Sequence, residues 1–182
     1  MRLFVAVDVP EKIKHAIETD VVDRLRDGLP GARWTRPEGR HLTLKFLGNV
    51  DDQRLPEITG AVDSAAKGHE SFSASFADIG GFPNLRRPRV LWVGIGEGTE
   101  PMAALAADLE RELEPLGFES EGRPFRGHFT LARFAKPRII DPLPEVSVPG
   151  EGFGVGEVVL FRSQLHPKGA RYTALERFRL RG

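Results

Sequence analysis

Two stretches 87 residues apart constrain this chain more than anything else in it. His41-Leu42-Thr43-Leu44-Lys45-Phe46-Leu47-Gly48 alternates apolar β-formers with polar residues and closes on the turn signal Gly48-Asn49, so it reads as a β-strand. Side chains two apart on a strand share a face. Strict alternation therefore gathers His41, Thr43 and Lys45 on one side and sends Leu42, Leu44 and Phe46 into a core. An imidazole, a hydroxyl and an ammonium on one wall suit an anion. His128-Phe129-Thr130-Leu131-Ala132-Arg133-Phe134 then repeats the His-x-Thr-Leu core in a second strand pattern. One His-x-Thr carries almost no information. Two copies in a chain with only 5 histidines carry a good deal.

The rest of the composition narrows the classes around that pair. With no cysteine, disulfides and thiolate chemistry are out, and a reducing compartment is compatible. The start, Met1 to Asp8, turns acidic too soon for a signal peptide, and no apolar run approaches membrane-spanning length. The expectation is a cytoplasmic protein without a membrane partner. The 26 basic and 26 acidic residues cancel, which argues against a protein that coats nucleic acid non-specifically. Twenty of the 26 basic residues are arginine. A GC-rich genome accounts for such a bias as readily as phosphate recognition does, so only the placement of individual arginines is informative.

In chain order, residues 2–9 read as a strand ending at Pro10. A helix follows from Pro10-Glu11, with Ile13, Ala16, Ile17, Val21 and Leu25 as its apolar stripe, and ends at Gly28 to Gly31. After the first histidine strand, Asp51 and Asp52 cap a helix striped by Leu55, Ile58, Val62 and Ala65 and running to Gly68. Ser71 to Ile79 reads as a half-buried strand, Gly80 to Asn84 as a turn, and Arg89 to Ile95 as a central strand. Thr99 caps a third helix with Met102, Leu105, Leu109 and Leu113 on its inner face. The second histidine strand, a Pro- and Gly-rich loop over 136–152, and strands near 153–162 and 171–180 complete the chain. This pattern predicts an α+β fold with mainly antiparallel sheet and no linker between independent domains. His15, His69 and His166 lie in contexts that read as solvated.

If the two histidine strands face each other across a cleft, the constellation suits phosphodiester chemistry without a metal or other cofactor. An imidazole titrates near pH ~6.5, so one ring can be neutral and act as base while the other is protonated and acts as acid. Threonine hydroxyls and a nearby Lys or Arg stabilise charge on the non-bridging oxygens. Zinc is disfavoured: two histidines supply at most two ligands, and neither strand holds Cys, Asp or Glu at ligand spacing. A serine-nucleophile elbow is absent as well.

The paired HxTx motifs resemble those of the two-histidine phosphoesterase superfamily, and within it the bacterial and archaeal RNA 2′,3′-cyclic phosphodiesterases, long labelled 2′-5′ RNA ligases. Arg2-Leu3-Phe4-Val5-Ala6-Val7, Gly81-Phe82-Pro83, Pro88-Arg89-Val90-Leu91-Trp92-Val93, Phe125-x-x-His128 and Ser163-x-Leu165…Gly169-Ala170-Arg171-Tyr172 extend the likeness over most of the chain, in order. The resemblance implies a bilobal unit over 1–182, with two pseudo-symmetric lobes of antiparallel sheet and outer helices around a central cleft. It also implies an RNA-processing reaction: a terminal RNA 2′,3′-cyclic phosphate opened to a 2′-phosphomonoester, with His41 the proton donor and His128 the base for water. Thr43 and Thr130 would hold the phosphoryl oxygens.

Four further residues are candidates for substrate contact. Lys45 stands on the histidine face by alternation. Arg133 would face away from His128 and reaches the cleft only if its strand bulges; otherwise it belongs to a surface salt bridge. Arg171 and Tyr172 would touch the RNA end, Tyr172 by stacking a base. Partners would be RNA 3′-ends, transfer-RNA fragments among them, or small cyclic nucleotides, and the protein would be a monomer. The same site also suits a 2′-5′ RNA ligase, with a 5′-hydroxyl in place of water, or a non-catalytic RNA-end binder.

Overall fold

A computed structural model of the protein describes residues 1–140, 142–166 and 170–182. The chain opens with β1 (Arg2–Val7). A helix built from α1 (Glu11–Ile17), a π-helical turn (Glu18–Val22) and α2 (Asp23–Arg26) follows, then β2 (Ala32–Trp34) and β3 (Leu42–Asn49). Next come α3 (Leu55–Lys67), β4 (Phe72–Ala74), β5 (Phe76–Phe82), β6 (Val90–Ile95) and α4 (Thr99–Leu113). The strands β7 (His128–Phe134), β8 (Phe153–Val155), β9 (Glu157–Gln164) and β10 (Arg171–Arg179) close the fold.

The strands form two four-stranded antiparallel sheets, ordered β10-β9-β1-β3 and β2-β7-β6-β5, and a short β4-β8 ribbon. Each large sheet carries one histidine strand, and β3 and β7 approach each other where the two lobes meet. Helices α3 and α4 pack on one another, α3 also against β9 and β10 and α4 against β3. Their stripes, Ile58, Val62 and Ala65 and then Met102, Leu105, Leu109 and Leu113, are buried as the 3.6-residue period predicts. The first helix buries Ile13, Ile17, Val21, Val22 and Leu25. Its π turn inserts one extra residue, so that Val21 and Val22 both point inward.

β1 is buried on both faces. Leu3, Val5 and Val7 join the main core, whereas Phe4 and Ala6 form a second cluster with Val159 and Phe161 on the opposite face of the sheet. That second cluster underlies the cleft.

Several local expectations change. The strand foreseen over Ser71–Ile79 is two strands, with β4 pairing β8 and β5 pairing β6. Gly80 and Gly81 lie within β5, not in a turn: a β-carbon on Gly80 would fall inside the Trp92 ring, so the glycine serves packing there. Gly98, in the left-handed region at φ 85°, occupies the N-cap position of α4. Thr99 is inside the helix, and its hydroxyl donates back to the carbonyls of Ile95 and Gly96. His69 is not solvated: its Nε2 lies 2.8 Å from Asp108 Oδ2 and its side chain is largely buried. His15 and His166 are exposed. The 136–152 segment has no regular element among its described residues, and the turn expected at Pro167-Lys168-Gly169 lies outside them. No helix among the described residues is long and apolar enough to cross a membrane.

Candidate active site

Both histidine strands break their alternation at the same place. Opposite β1, Val5 pairs Lys45 and Ala6 pairs Thr43, leaving Leu44 as an extra residue. Opposite β6, Leu91 pairs Ala132 and Trp92 pairs Thr130, leaving Leu131 extra. Each is a β-bulge three residues after its histidine. A bulge shifts the two-residue period by one, so the side chains just beyond it change face, until in β3 a second irregularity at Leu47 shifts the period again. Ahead of the bulge, His41 and Thr43, and likewise His128 and Thr130, face the cleft as alternation predicts. Beyond it, Phe46 and Arg133 face the cleft, while Lys45 and Ala132 are buried.

Lys45 is thereby removed from the expected phosphate contacts. It is 2% exposed, with Nζ donating to Glu110 Oε1 at 3.0 Å and to the Glu119 carbonyl at 2.6 Å. Desolvation alone would raise the Glu110 pKa. Hydrogen bonds from Ser120, the Glu121 N–H and Lys45 outweigh it and hold this carboxylate below its usual range. Phe46, expected in the core, is 54% exposed. Arg133, which unbroken alternation would turn away, lines the cleft.

The cleft has a volume of about 380 Å³. His41, Thr43, His128, Thr130, Arg133 and Tyr172 all line it, together with Arg2, Phe4, Arg40, Phe46 and Ser163. Among the described residues its walls offer two imidazoles and the guanidinium groups of Arg2 and Arg133 and no carboxylate, while the side chain of Arg40 is buried behind them. Arg171 is not among them; it lines the groove beside the cleft, past Tyr172.

His41 sits in an aromatic box. Phe161 stacks on it with ring centroids 4.7 Å apart, Phe4 lies tilted at 5.2 Å, and Tyr172 meets it edge-on at 4.8 Å. Burial among these rings, helped by the Lys14 ammonium, pushes its pKa from the ordinary 6.5 to about 4. Its Nε2 is buried with no protein partner among the described residues. An orphaned buried nitrogen is costly unless a ligand completes it.

His128 is held differently. Its Nδ1 is 2.8 Å from the Arg126 carbonyl, and Phe82 meets the ring edge-on at 5.0 Å. A carbonyl only accepts, so Nδ1 carries a proton and the neutral ring keeps its lone pair on Nε2. Burial lowers the pKa of His128 too, opposed by that carbonyl.

Arg40 and Thr35 fix the two walls to each other. The Thr35 N–H donates to the Leu131 carbonyl at 2.9 Å. Its hydroxyl lies 2.7 Å from the Thr130 carbonyl and 2.9 Å from that of Leu131. Arg40 Nε donates to the same hydroxyl at 3.0 Å, and Nη2 to the Thr35 carbonyl at 2.6 Å. Arg40 Nη1 ion-pairs with Glu18 in the π turn at 2.6 Å, in a geometry off-line for a hydrogen bond. Sequence reading missed this pair, and Phe4 and Phe161 as well. Phe4 left a trace, standing opposite Leu3 and Val5 by alternation in a strand with no polar face.

The sequence model of LigT-like phosphoesterases matches this chain twice, over residues 7–92 and 93–172. The chain belongs to the LigT-like phosphoesterase family. The two matches meet inside β6, and each contains one His-x-Thr strand, a repeat too diverged to align by eye beyond those strands. The chain is 37% identical to the RNA 2′,3′-cyclic phosphodiesterase of Methanothermobacter thermautotrophicus over 99% of both chains. It is 36% identical to that of Archaeoglobus fulgidus, covering 98% of this chain and 99% of the relative. The crystal structure of E. coli LigT complexed with 3′-AMP matches it with a TM-score of 0.81 at 26% identity, over 98% of this chain and 97% of that one. The α+β architecture of two lobes around a cleft is thus that of the LigT-like phosphoesterases.

Proposed function

We propose that residues 1–182 act as one bilobal enzyme, a cytoplasmic monomer that hydrolyses RNA 2′,3′-cyclic phosphates to 2′-phosphomonoesters. The observation that carries this reading is the cleft itself: two histidines from like-built strands, with arginines and hydroxyls and, among the described residues, no carboxylate to repel a phosphate. The name borne by the relatives and the 3′-AMP bound to E. coli LigT support it.

His128 Nε2, with its lone pair fixed by the Arg126 carbonyl, takes a proton from water as the water oxygen bonds to phosphorus. The bond from phosphorus to the 3′-oxygen breaks, and His41 delivers a proton to that oxygen. Thr43, Thr130 and Arg133 bind the non-bridging oxygens, and Tyr172 with Phe46 offers ring faces to the terminal nucleoside. The single negative charge of the cyclic phosphate also suits His41, whose proton it stabilises on arrival.

An oligonucleotide ending in a 2′,3′-cyclic phosphate, incubated with EDTA, is the test. The expected product carries a 2′-phosphate. His41→Ala and His128→Ala each lose roughly 10²–10⁴ in rate. The double variant is scarcely worse than either single one, since acid and base act as a unit. Loss of turnover on adding EDTA would sink the metal-free mechanism, full activity in both single variants would sink the residue assignment, and binding without turnover would leave an RNA-end binder.

A further inference from the structure

A second groove, of about 670 Å³, opens directly from the cleft and shares Thr35, Gly39, Ala170 and Tyr172 with it. Trp34, Arg36 and Arg171 line its outer part, with Gln164, Thr173 and the single carboxylate of Glu38. Arg36 and Arg171 are exposed, and neither has an ion-pair partner among the described residues. Exposed arginines without an ion pair are common in this chain, so what singles out Arg36 and Arg171 is their place beside the anion cleft. Trp34 and Tyr172 add ring surface between them. Guanidinium groups interleaved with aromatic rings are what a single-stranded nucleic acid needs: cations for its phosphates and platforms for its bases.

We propose that this groove binds the RNA strand on the 5′ side of the terminal nucleotide, so that the preferred substrate is an oligonucleotide and not a cyclic mononucleotide. The inference rests on the cyclic-phosphate reading of the cleft. A cyclic phosphate is the end of its chain, so the remaining strand must leave the cleft through an open side. Another groove that adjoins the cleft, lined by Arg2, Gly48, Asn49, Ser163 and Leu165, has one cation and no aromatic ring among the described residues. The Arg36–Arg171 side matches a phosphodiester strand better on both counts.

The test compares a tetranucleotide ending in a 2′,3′-cyclic phosphate with cytidine 2′,3′-cyclic phosphate. The expected result is a kcat/KM preference of at least roughly tenfold for the tetranucleotide, expressed in KM, and reduced about fivefold by Arg36→Ala or by Arg171→Ala. Each variant also makes log K for a fluorescent tetranucleotide ending in a 2′-phosphate less steep against log salt by about 0.7. Equal KM values for the two substrates, or a preference untouched by both variants, would overturn the proposal. So would a preference lost in Arg2→Ala alone, which would send the strand out by the other side. Should the enzyme turn over neither substrate, the reading of the cleft fails instead, and the salt slopes of product binding still decide the groove.

Discussion

At His41 two requirements pull against each other. A proton donor must hold a proton, yet the aromatic box sets this ring's pKa near 4 in the empty cleft. Protonating it at pH 7 then costs about 4 kcal/mol. A phosphate anion about 4 Å away at an effective dielectric of ~20 supplies about 4 kcal/mol, enough to bring the ring to the edge of protonation. In the proposed mechanism the substrate thus charges its own acid. The expected kinetic outcome is a pH profile for kcat that keeps activity well above the free ring's pKa. Replacing the phosphate by a phosphorothioate should leave that profile bell-shaped, while His41→Gln should remove its alkaline limb. The same ring also affects folding. Its folded pKa lies below the ordinary 6.5, so the unfolded chain takes up the proton first. The stabilisation is complete above about pH 6.5 and is lost as pH falls toward 4, by up to roughly 3 kcal/mol. Urea unfolding at pH 7 and pH 4.5 checks this: His41→Phe should lose less stability between the two than the native chain, and an identical loss would show that the ring contributes nothing.

The element that decides the site is the bulge, and sequence periodicity cannot see it. Alternation located β3 and β7 and put both histidines and both threonines on the right face, because those four residues precede the break. It put Lys45, Phe46 and Arg133 on the wrong faces because it assumes an unbroken pleat, and the extra residues Leu44 and Leu131 are ordinary strand formers. The helices were legible from their stripes, since each buries one face over three or more turns. β2 was not, at three residues with no period to read. Arg40 was invisible for another reason: its partners Glu18 and Thr35 are joined to it only by the folded chain. The burial of Lys45 makes a prediction of its own. Lys45→Ala should destabilise the fold by roughly 3 kcal/mol, taking from Glu110 its cation and from the Glu119 carbonyl the ammonium that donates to it, whereas Lys45→Met should be milder. The folded fraction of either variant should hydrolyse the cyclic phosphate with an unaltered KM. A raised KM would restore Lys45 to the cleft.

Across the whole molecule, the proposed mechanism requires the two lobes to hold two rings on opposite sides of one phosphorus atom. Arg40 adjoins His41 in the chain, and Thr35 grips the carbonyls of Thr130 and Leu131 in the opposite wall, so the pair spans the gap as a brace. Small misplacements of reacting groups cost up to ~10² in rate. Arg40→Met should accordingly lower kcat by about tenfold or more while KM and the pH optimum stay in place, which separates positioning from loss of a cleft charge. A KM effect alone would mark Arg40 as an ordinary phosphate contact.

The matching bulges have one more consequence. Two like-built walls, each presenting a histidine and a threonine, would by themselves accept a phosphodiester equally well in either of two opposed orientations, and half of all encounters would be wasted. The residues delivered just past the bulges break that tie, an aromatic ring at Phe46 against a guanidinium at Arg133. A difference of about 1.4 kcal/mol between the two orientations already gives a tenfold bias. The enzyme can keep an inherited near-symmetry in its frame and still read its substrate in one direction.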